Sequence, residues 1–264
     1  MREEDANSTP ILQTRQLGID FGGLTAVNDF TISIGRTEIC GLIGPNGAGK
    51  TTIFNLLTSV YQPTRGAVIV NNIDTKGKTV HQVNKLGVAR TFQNIRLFGN
   101  MSVIDNVKIG LSNSMKTSLL TSFTHMFGHA KEEEQANQKA LELLDFFDMR
   151  SKANYIAGSL PYGDQRRLEI IRALATNPCI ILLDEPAAGM NPSETATLMD
   201  NIKRIRDEFK IAVVLIEHDM NLVMGICETI AVLNYGQIIA RGTPDEIKNN
   251  PAVIEAYLGK KAEE

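Results

Sequence analysis

The segment of the sequence with the clearest chemistry is a glycine-rich run that contains one lysine, Gly44-Pro45-Asn46-Gly47-Ala48-Gly49-Lys50-Thr51. It fits the pattern G-x-x-x-x-G-K-[ST], in which backbone N–H groups surround phosphate oxygens and a β-carbon would intrude. The lysine of such a loop neutralises the β- and γ-phosphates, and the hydroxyl that follows it binds Mg²⁺. We therefore expect a nucleotide to bind through Gly44, Asn46, Gly47, Gly49, Lys50, Thr51 and Thr52.

Two acidic residues, Asp184 and Glu185, follow an apolar run, Ile180-Ile181-Leu182-Leu183. Taken alone, they could be surface acids at the end of a strand. Together with a phosphate-binding loop upstream, they predict that Asp184 is an outer ligand of Mg²⁺ and that Glu185 polarises the attacking water. A positioned base contributes roughly 10²- to 10⁴-fold, so the loss of Glu185 should suppress hydrolysis much more than binding.

The pattern of apolar residues predicts which elements position these groups. Short β-type runs and glycine turns from Ile11 to about Gly44 predict a small β layer, and a helix is expected over 51–57. Between about Leu97 and Ala175 the spacing becomes helical, with Ala136, Ala140, Leu144 and Phe147 on one face. From Cys179 onward apolar strands alternate with helices, which is typical of a parallel sheet whose catalytic groups lie at the carboxyl ends of its strands.

Composition limits the class of protein. The 264 residues carry a net charge of -3, with 43% hydrophobic and 22% charged residues, a balance that provides no general attraction to nucleic acid or anionic lipid. The apolar runs are much shorter than the roughly 20 residues that cross a bilayer, and the acidic start has no apolar signal core. Both features favour a location of the chain in the cytoplasm. Cys40, Cys179 and Cys227 lie singly in apolar runs and are expected to be reduced core thiols.

The order of these motifs resembles that of ATP-binding cassette (ABC) proteins of membrane transporters, over the chain from Ile11 to Gly259. The resemblance implies ATP and Mg²⁺ as cofactors. It also implies that Gln93 contacts Mg²⁺ or the attacking water, that His218 contacts the γ-phosphate and that the ring of Phe21 stacks on adenine. For Phe21, a place in the core is the alternative.

The signature segment of that family, usually Leu-Ser-Gly-Gly-Gln, is Leu160-Pro161-Tyr162-Gly163-Asp164 here. The family's serine donates to the γ-phosphate of the ATP held by the opposite subunit, and Pro161 has neither a hydroxyl nor an N–H. The backbone N–H groups of Tyr162 and Gly163 remain as donors at the start of a helix. Asp164 is expected to point away from the phosphate because like charges repel. Asn191 stands where the family's D-loop usually has aspartate.

Several further segments resemble one branch of that family, the larger ATPase subunit of bacterial importers of branched-chain and other hydrophobic amino acids. These segments are Arg90–Phe98, Tyr162-Gly163 with Gln165–Ile170, Glu185–Gly189, Ile216–Met220 and Asn250–Gly259. The piece between Gly110 and His129 falls where that branch carries extra residues, and we expect it to be a packed insertion. Importers of urea or short amides and the ATPase of lipopolysaccharide export share much of this sequence.

The resemblance implies a single α/β domain over about 11–260, a P-loop NTPase with a RecA-like core, an antiparallel β subdomain and an inserted helical subdomain. The core would span about 11–96 and 176–260, and the helical subdomain about 97–175. The implied partners are two transmembrane permease subunits, which would dock near 93–101, and a second ATPase, identical or paralogous. A periplasmic or extracellular binding protein would act indirectly. The chain would then lie at the cytoplasmic face of the cell membrane.

Two other classes of protein compete with this interpretation. A soluble cassette ATPase that acts on ribosomes or DNA usually has two fused cassettes, long coiled coils or basic patches, and this sequence has none of them. No nucleic-acid partner is therefore expected. A P-loop kinase or GTPase would leave His218 and the segment from Tyr162 to Glu169 unexplained.

Overall fold

The computed structural model describes residues 9–114 and 129–258. The chain divides into two compact units, one made by the residues up to Arg90 and from Cys179 onward, the other by Thr91–Pro178. The helical subdomain expected over about 97–175 falls within the second unit. Most of the segment between Gly110 and His129, expected to be a packed insertion, lies outside the described residues.

The first unit contains an antiparallel sheet with the strand order β2-β1-β5-β6, in which β3 also pairs with β1. From Ala67 to Val70, β5 alternates between half-buried and fully buried positions, as expected when one face of a sheet covers a core. Their ranges are β1 Leu12–Phe21, β2 Leu24–Phe30, β3 Ser33–Ile34, β5 Arg65–Val70 and β6 Ile73–Asp74.

The second sheet of this unit has the order β11-β10-β4-β9-β8-β7, and every pair is parallel except β10 with β11. Each residue of β4, β8 and β9 is buried, which is typical of central strands with helices on both faces. The ranges are β4 Ile39–Ile43, β7 Val88–Arg90, β8 Ile180–Asp184, β9 Ala212–Ile216, β10 Thr229–Asn234 and β11 Gln237–Gly242.

The α-helices connect these strands or form the second unit. They are α1 Lys50–Leu57, α2 Val80–Lys85, α3 Val103–Ser114, α4 His129–Phe146, α5 Tyr162–Leu174, α6 Pro192–Phe209, α7 Met220–Ile226, α8 Pro244–Lys248 and α9 Pro251–Leu258. Helix α1 buries Ile53 and Phe54 in a cluster that also contains Leu12 and Phe30 of the antiparallel sheet and Leu182 of the parallel sheet. The helix after the phosphate-binding loop is therefore fixed to both sheets.

In the second unit, α3 packs against both α4 and α5. The predicted apolar face of α4 is confirmed at Ala140 and Leu144, which are fully buried, whereas Ala136 is only half-buried. Phe147 is buried just beyond the end of the helix. In the described ranges, 9–114 and 129–258, no helix has the length and apolar character needed to span a bilayer.

The three cysteines are free, and Cys40 and Cys227 are buried as predicted. Cys179 is also free, but it is only half-buried and packs against the edge of the main apolar core. It lies directly before β8, where the chain is still entering the sheet, and the side chain of Asn71 approaches its Sγ atom to 3.3 Å.

Candidate nucleotide-binding and hydrolysis site

The phosphate-binding loop runs from the end of β4 to the start of α1. Its backbone requires glycine at two points for steric reasons. A β-carbon at Gly44 would lie 2.2 Å from the carbonyl oxygen of Leu233, and Gly49, at the N-cap of α1, has a φ of 99°. The loop is therefore closely packed on β10 at one end and turns sharply into the helix at the other.

The side chain of Lys50 turns back over this loop. Its Nζ atom donates to the carbonyl oxygens of Gly44 at 2.6 Å and Pro45 at 3.0 Å, and the residue is buried. Burial lowers the pKa of Lys50 below its ordinary value, and the nearby carboxylates of Glu185 and Asp184 oppose that shift. An ammonium group held among carbonyl oxygens beside a row of backbone amides suits a polyphosphate.

Asp184 is the last residue of β8 and is deeply buried. Its Oδ2 atom accepts a hydrogen bond from Nη2 of Arg90 at 2.8 Å, and Nη1 of Arg90 donates to Oδ1 of Asn55 on α1 at 2.7 Å. The same guanidinium lies 5.4 Å from the ring centroid of Phe54. Arg90 thus joins the carboxyl ends of β7 and β8 to the helix that follows the phosphate-binding loop.

Glu185 and His218 follow the neighbouring parallel strands β8 and β9, so both emerge at the same edge of the sheet. The Nε2 atom of His218 lies 2.8 Å from Oε1 of Glu185. The backbone of Glu185 has a φ of 46°, and its N–H donates to the carbonyl of Ile216 at 2.9 Å. Left-handed backbone at a residue other than glycine is uncommon and is often found at functional sites. The carboxylate and the imidazole therefore form a fixed pair that is open to solvent.

Glu217, beside His218, is buried and accepts two backbone hydrogen bonds. The N–H of Ala187 lies 2.7 Å from Oε1, and the N–H of His218 lies 3.0 Å from Oε2. Burial raises the pKa of Glu217 above its ordinary value, while these N–H groups oppose the shift. The carboxylate connects the loop after Glu185 to the loop that carries His218.

Phe21 ends β1 and is partly exposed, so the alternative of a core position is wrong. Its ring makes an edge-to-face contact with the ring of Tyr61, with centroids 5.3 Å apart. Such a contact fixes the orientation of Phe21 and leaves ring surface in solvent. Next to it, Asp20 accepts hydrogen bonds from Thr25 and Arg65, which lower its pKa.

The remaining residues predicted for the site belong to the second unit. Gln93 is exposed in the loop that starts this unit, and Tyr162 is the exposed first residue of α5, followed by Gly163. The structure thus brings the phosphate-binding loop, Asp184, Glu185 and His218 into one unit and gathers Gln93, Tyr162 and Gly163 in the other.

Two departures from the family pattern have local structural explanations. Asp164 is 3% exposed, and its carboxylate forms ion pairs with Lys152 and Arg167 inside the second unit. The amide oxygen of Asn191 accepts hydrogen bonds from the N–H groups of Ser193 and Glu194, both at 3.0 Å, and so caps α6. An aspartate at position 191 could form the same cap.

Four residues of the site are not predicted from the sequence: Arg90, Asn55, Tyr61 and Glu217. Arg90 belongs to a segment that resembles the importer branch, but the sequence predicts no role for it. Its position is nevertheless a usable signal. An arginine at the end of a strand, just before a polar loop, lies at the edge of a parallel sheet where functional groups meet. Tyr61 and Glu217 carried no comparable signal, since a loop tyrosine and a glutamate beside a histidine are usually solvated.

The fold and this arrangement define a P-loop nucleoside triphosphatase: a glycine loop and lysine for phosphates, a carboxylate at the end of β8, and a glutamate that contacts a histidine. The family is shown by comparison. The chain belongs to the ABC transporter family, because the model described as "ABC transporter" matches residues 27–188. A second model, described as "Branched-chain amino acid ATP-binding cassette transporter", matches residues 237–263. The predicted family and fold class are confirmed, and the chain is a nucleotide-binding ATPase of this family.

Among curated proteins, the chain is similar to the high-affinity branched-chain amino acid transport ATP-binding protein LivG of Salmonella typhimurium. The two are 45% identical over 253 residues, which cover 96% of this chain and 99% of that protein. The corresponding protein BraF of Pseudomonas aeruginosa is 44% identical over the same proportions of both chains.

Solved structures show the same architecture. The ADP conformation of MJ1267, an ATP-binding cassette of an ABC transporter, has a TM-score of 0.83 and 31% identity and covers 96% of this chain and 100% of that one. The dimeric structure of MJ0796, a bacterial ABC transporter cassette, has a TM-score of 0.74 and 26% identity. The match covers 88% of this chain and 98% of that one.

Proposed function

We propose that this chain is the ATP-hydrolysing subunit of a membrane importer for branched-chain or other hydrophobic amino acids. The observation that carries the proposal is the match of residues 237–263, which lie beyond the residues matched by the general ABC transporter model, to the branched-chain amino acid model. Relatives named for branched-chain amino acid transport, which are similar over nearly their whole length, support the same assignment.

In this proposal the phosphates of ATP bind the backbone N–H groups of Gly44–Gly49, and Lys50 exchanges its contacts with the loop carbonyls for phosphate oxygens. The hydroxyl of Thr51, exposed at the start of α1, and the carboxylate of Asp184 are hard oxygen donors of the kind Mg²⁺ prefers. Bound Mg²⁺ would neutralise charge on the β- and γ-phosphates. Phe21 would provide the stacking surface for adenine.

Hydrolysis would use the pair formed by Glu185 and His218. The carboxylate of Glu185 accepts a proton from the attacking water, and the imidazole at 2.8 Å holds that carboxylate in place. The imidazole of His218, which is about half exposed, would then contact the γ-phosphate through a ring nitrogen. Because the two residues follow adjacent parallel strands, their separation is set by the sheet.

The second unit would complete the site across a dimer of cassettes. The backbone N–H groups of Tyr162 and Gly163 would bind the ATP held by the opposite subunit, and Gln93 would contact Mg²⁺ or the attacking water. The likeness to a cassette described as dimeric supports this arrangement. The second ATPase would be another copy or a paralogue.

The proposed assembly also contains two transmembrane permease subunits, which dock near residues 93–101 at the cytoplasmic face of the membrane. A periplasmic or extracellular protein would deliver the solute to them. The names of the relatives, which are transport ATP-binding proteins, support a partnership of this kind.

A Glu185→Gln variant tests the chemical part of the proposal. We expect it to bind ATP with near-normal affinity and to hydrolyse it roughly 10²- to 10⁴-fold more slowly, because the base is lost while the charge and shape of the phosphate site remain. Glu194→Gln, at an acid outside the site, is the control. Near-normal turnover by the Glu185 variant would contradict the assignment.

The transport part is tested by copurification of the tagged chain from its native membrane, followed by ATPase assays with a binding protein and leucine. We expect two permease chains, a second ATPase and a higher rate with leucine. Stimulation by urea or a short amide, and not by leucine, would assign the chain to a related importer instead. Recovery of ribosomes or nucleic acid without a membrane partner would contradict transport.

A further inference from the structure

Arg166 and Glu169 form a completely buried ion pair on helix α5. The two residues are one turn apart, Nη1 of Arg166 lies 2.9 Å from Oε2 of Glu169, and their side chains are 0% and 2% exposed. Burying an arginine and a glutamate is unfavourable unless their remaining hydrogen-bonding capacity is also satisfied. The other groups to which these two side chains are hydrogen-bonded therefore indicate the role of the pair.

The pair binds the backbone of the loop that contains Gln93. The guanidinium of Arg166 donates to two consecutive carbonyl oxygens, that of Phe92 at 2.6 Å and that of Gln93 at 2.8 Å. The Oε1 atom of Glu169 accepts hydrogen bonds from the N–H groups of Phe92 and Arg96, both at 3.3 Å. Four backbone groups of a segment without regular structure are thus held by two side chains of one helix.

The far end of the same loop is held by helix α3. The side-chain amide of Asn106, which is fully buried, donates to the carbonyl of Phe98 at 3.1 Å and accepts from its N–H at 3.0 Å. Within the loop, the guanidinium of Arg96 lies 4.3 Å from the ring centroid of Phe92. The backbone of 92–98 is therefore fixed to the second unit at both ends.

Well-packed apolar residues often replace a buried ion pair without loss of stability, so stability alone does not account for Arg166 and Glu169. A buried network of charged side chains and backbone groups instead favours one backbone conformation, because other arrangements leave a buried charge without its partner. The conformation selected here sets the direction of Gln93. Helix α5, which provides the pair, begins at Tyr162 and Gly163.

We propose that Arg166 and Glu169 are positioning residues that lock the loop of Gln93 to the helix headed by Tyr162 and Gly163. Gln93 and the backbone donors of Tyr162–Gly163 then move as one rigid piece. This inference rests on the proposed function, in which the loop meets the membrane partner and the head of the helix meets ATP of the opposite cassette. The pair would transmit a signal from the partner to the nucleotide without touching either.

The first test measures amide hydrogen exchange in the isolated chain, with no solute or partner. The variant Arg166→Met/Glu169→Leu removes both charges together, so neither is left buried alone. We expect the amides of Phe92 and Arg96 to exchange at least about tenfold faster, since each loses an acceptor that carries charge. Arg150→Met/Asp145→Asn, at an exposed ion pair of the same unit, is the matched control and should leave both rates unchanged.

Arg166→Lys separates the effect of the pair from general damage to the helix. Lysine keeps a counter-charge for Glu169 but cannot reach two carbonyls with a planar fork. We expect the amides of Phe92 and Arg96 to keep most of their protection in this variant. Unchanged exchange in the double variant, or equal loss of protection in the lysine variant, would overturn the proposed lock.

The second test uses the complex assembled with its membrane chains. In the double variant we expect the KM for ATP to stay within about twofold of the wild-type value, while stimulation of hydrolysis by a loaded binding protein falls about tenfold. A parallel change in KM and stimulation would show a merely structural role and overturn the inference. If the wild-type complex itself gives no stimulation, the proposed transport function fails, and the exchange experiment still decides whether the lock exists.

Discussion

Arg90 and Asp184, which lie 94 residues apart in the chain, form a buried ion pair with Nη2 and Oδ2 only 2.8 Å apart. Their side chains are 7% and 4% exposed. The same guanidinium also binds Asn55 on α1, so one arginine connects the phosphate-binding helix to the carboxylate that we expect to face Mg²⁺. The site is therefore organised by a contact between distant parts of the sequence.

Replacement of Arg90 by methionine should destabilise the protein. The change leaves Asp184 buried without its main counter-charge, so the free energy of unfolding should fall by about 3–5 kcal/mol. Arg90→Met/Asp184→Asn, which removes the charge from both positions, should recover a large part of that loss. Urea denaturation of the three proteins at neutral pH measures the difference. An Arg90→Met variant as stable as the wild type would show that the ion pair contributes nothing to the free energy of unfolding.

The stability of the protein should depend on pH through Glu217. Because burial raises the pKa of this carboxyl above its ordinary value of 4.5, the folded chain holds the proton to higher pH than the unfolded chain does. The stability due to the protonated form is complete below about pH 4.5 and is lost as the pH rises through the folded-state pKa. The wild-type protein should therefore lose stability relative to the Glu217→Gln variant as the pH rises above about 4.5.

Urea denaturation of both proteins between acidic and neutral pH checks this sign. Glu208→Gln, at an exposed glutamate on α6, is the control for the loss of a surface carboxylate. If the difference between wild type and Glu217→Gln did not vary with pH, burial would not be what sets the pKa of this carboxyl.

Phe21→Ala should weaken ATP binding with little effect on the catalytic step. An aromatic contact contributes about 1 kcal/mol beyond the area it buries, so the KM for ATP should rise about fivefold while kcat stays the same. Phe21→Tyr keeps a ring and should behave as wild type. Leu24→Ala, at an exposed residue across the same turn, is the matched control. An unchanged KM in Phe21→Ala would exclude Phe21 as the adenine platform.

Pro161→Ser should restore a donor to the signature segment. Pro161 precedes α5 with a φ of -53° and a ψ of 152°, and serine is favoured at such an N-cap position. A hydroxyl that reaches the phosphate of the opposite subunit would add a charge-assisted hydrogen bond and lower the KM for ATP roughly tenfold or more. Pro161→Ala, which adds an N–H but no hydroxyl, separates the two effects. Equal KM values for the two variants would mean that the hydroxyl makes no such contact.

The sequence by itself determined the features that depend on neighbouring residues. Gly44 to Thr51 predict a phosphate-binding loop because glycine spacing and a lysine act over a single turn of chain. Equally local patterns predict the strands over 180–183 and 211–216 and the helix that starts at Tyr162 and Gly163, and they carry the family resemblance. The two acids at the end of a strand were recognisable for the same reason.

Only the tertiary structure decided which of these local features meet. Strand β7 has only three residues, too few for a clear periodic pattern, yet it brings Arg90 beside Asp184. The contact of Glu185 with His218 requires β8 and β9 to be neighbours in register, and Arg166 reaches the loop of Gln93 across 73 residues. Apolar runs specify that strands and helices are buried but not their order or register, so such long-range pairs are settled only when the whole core packs.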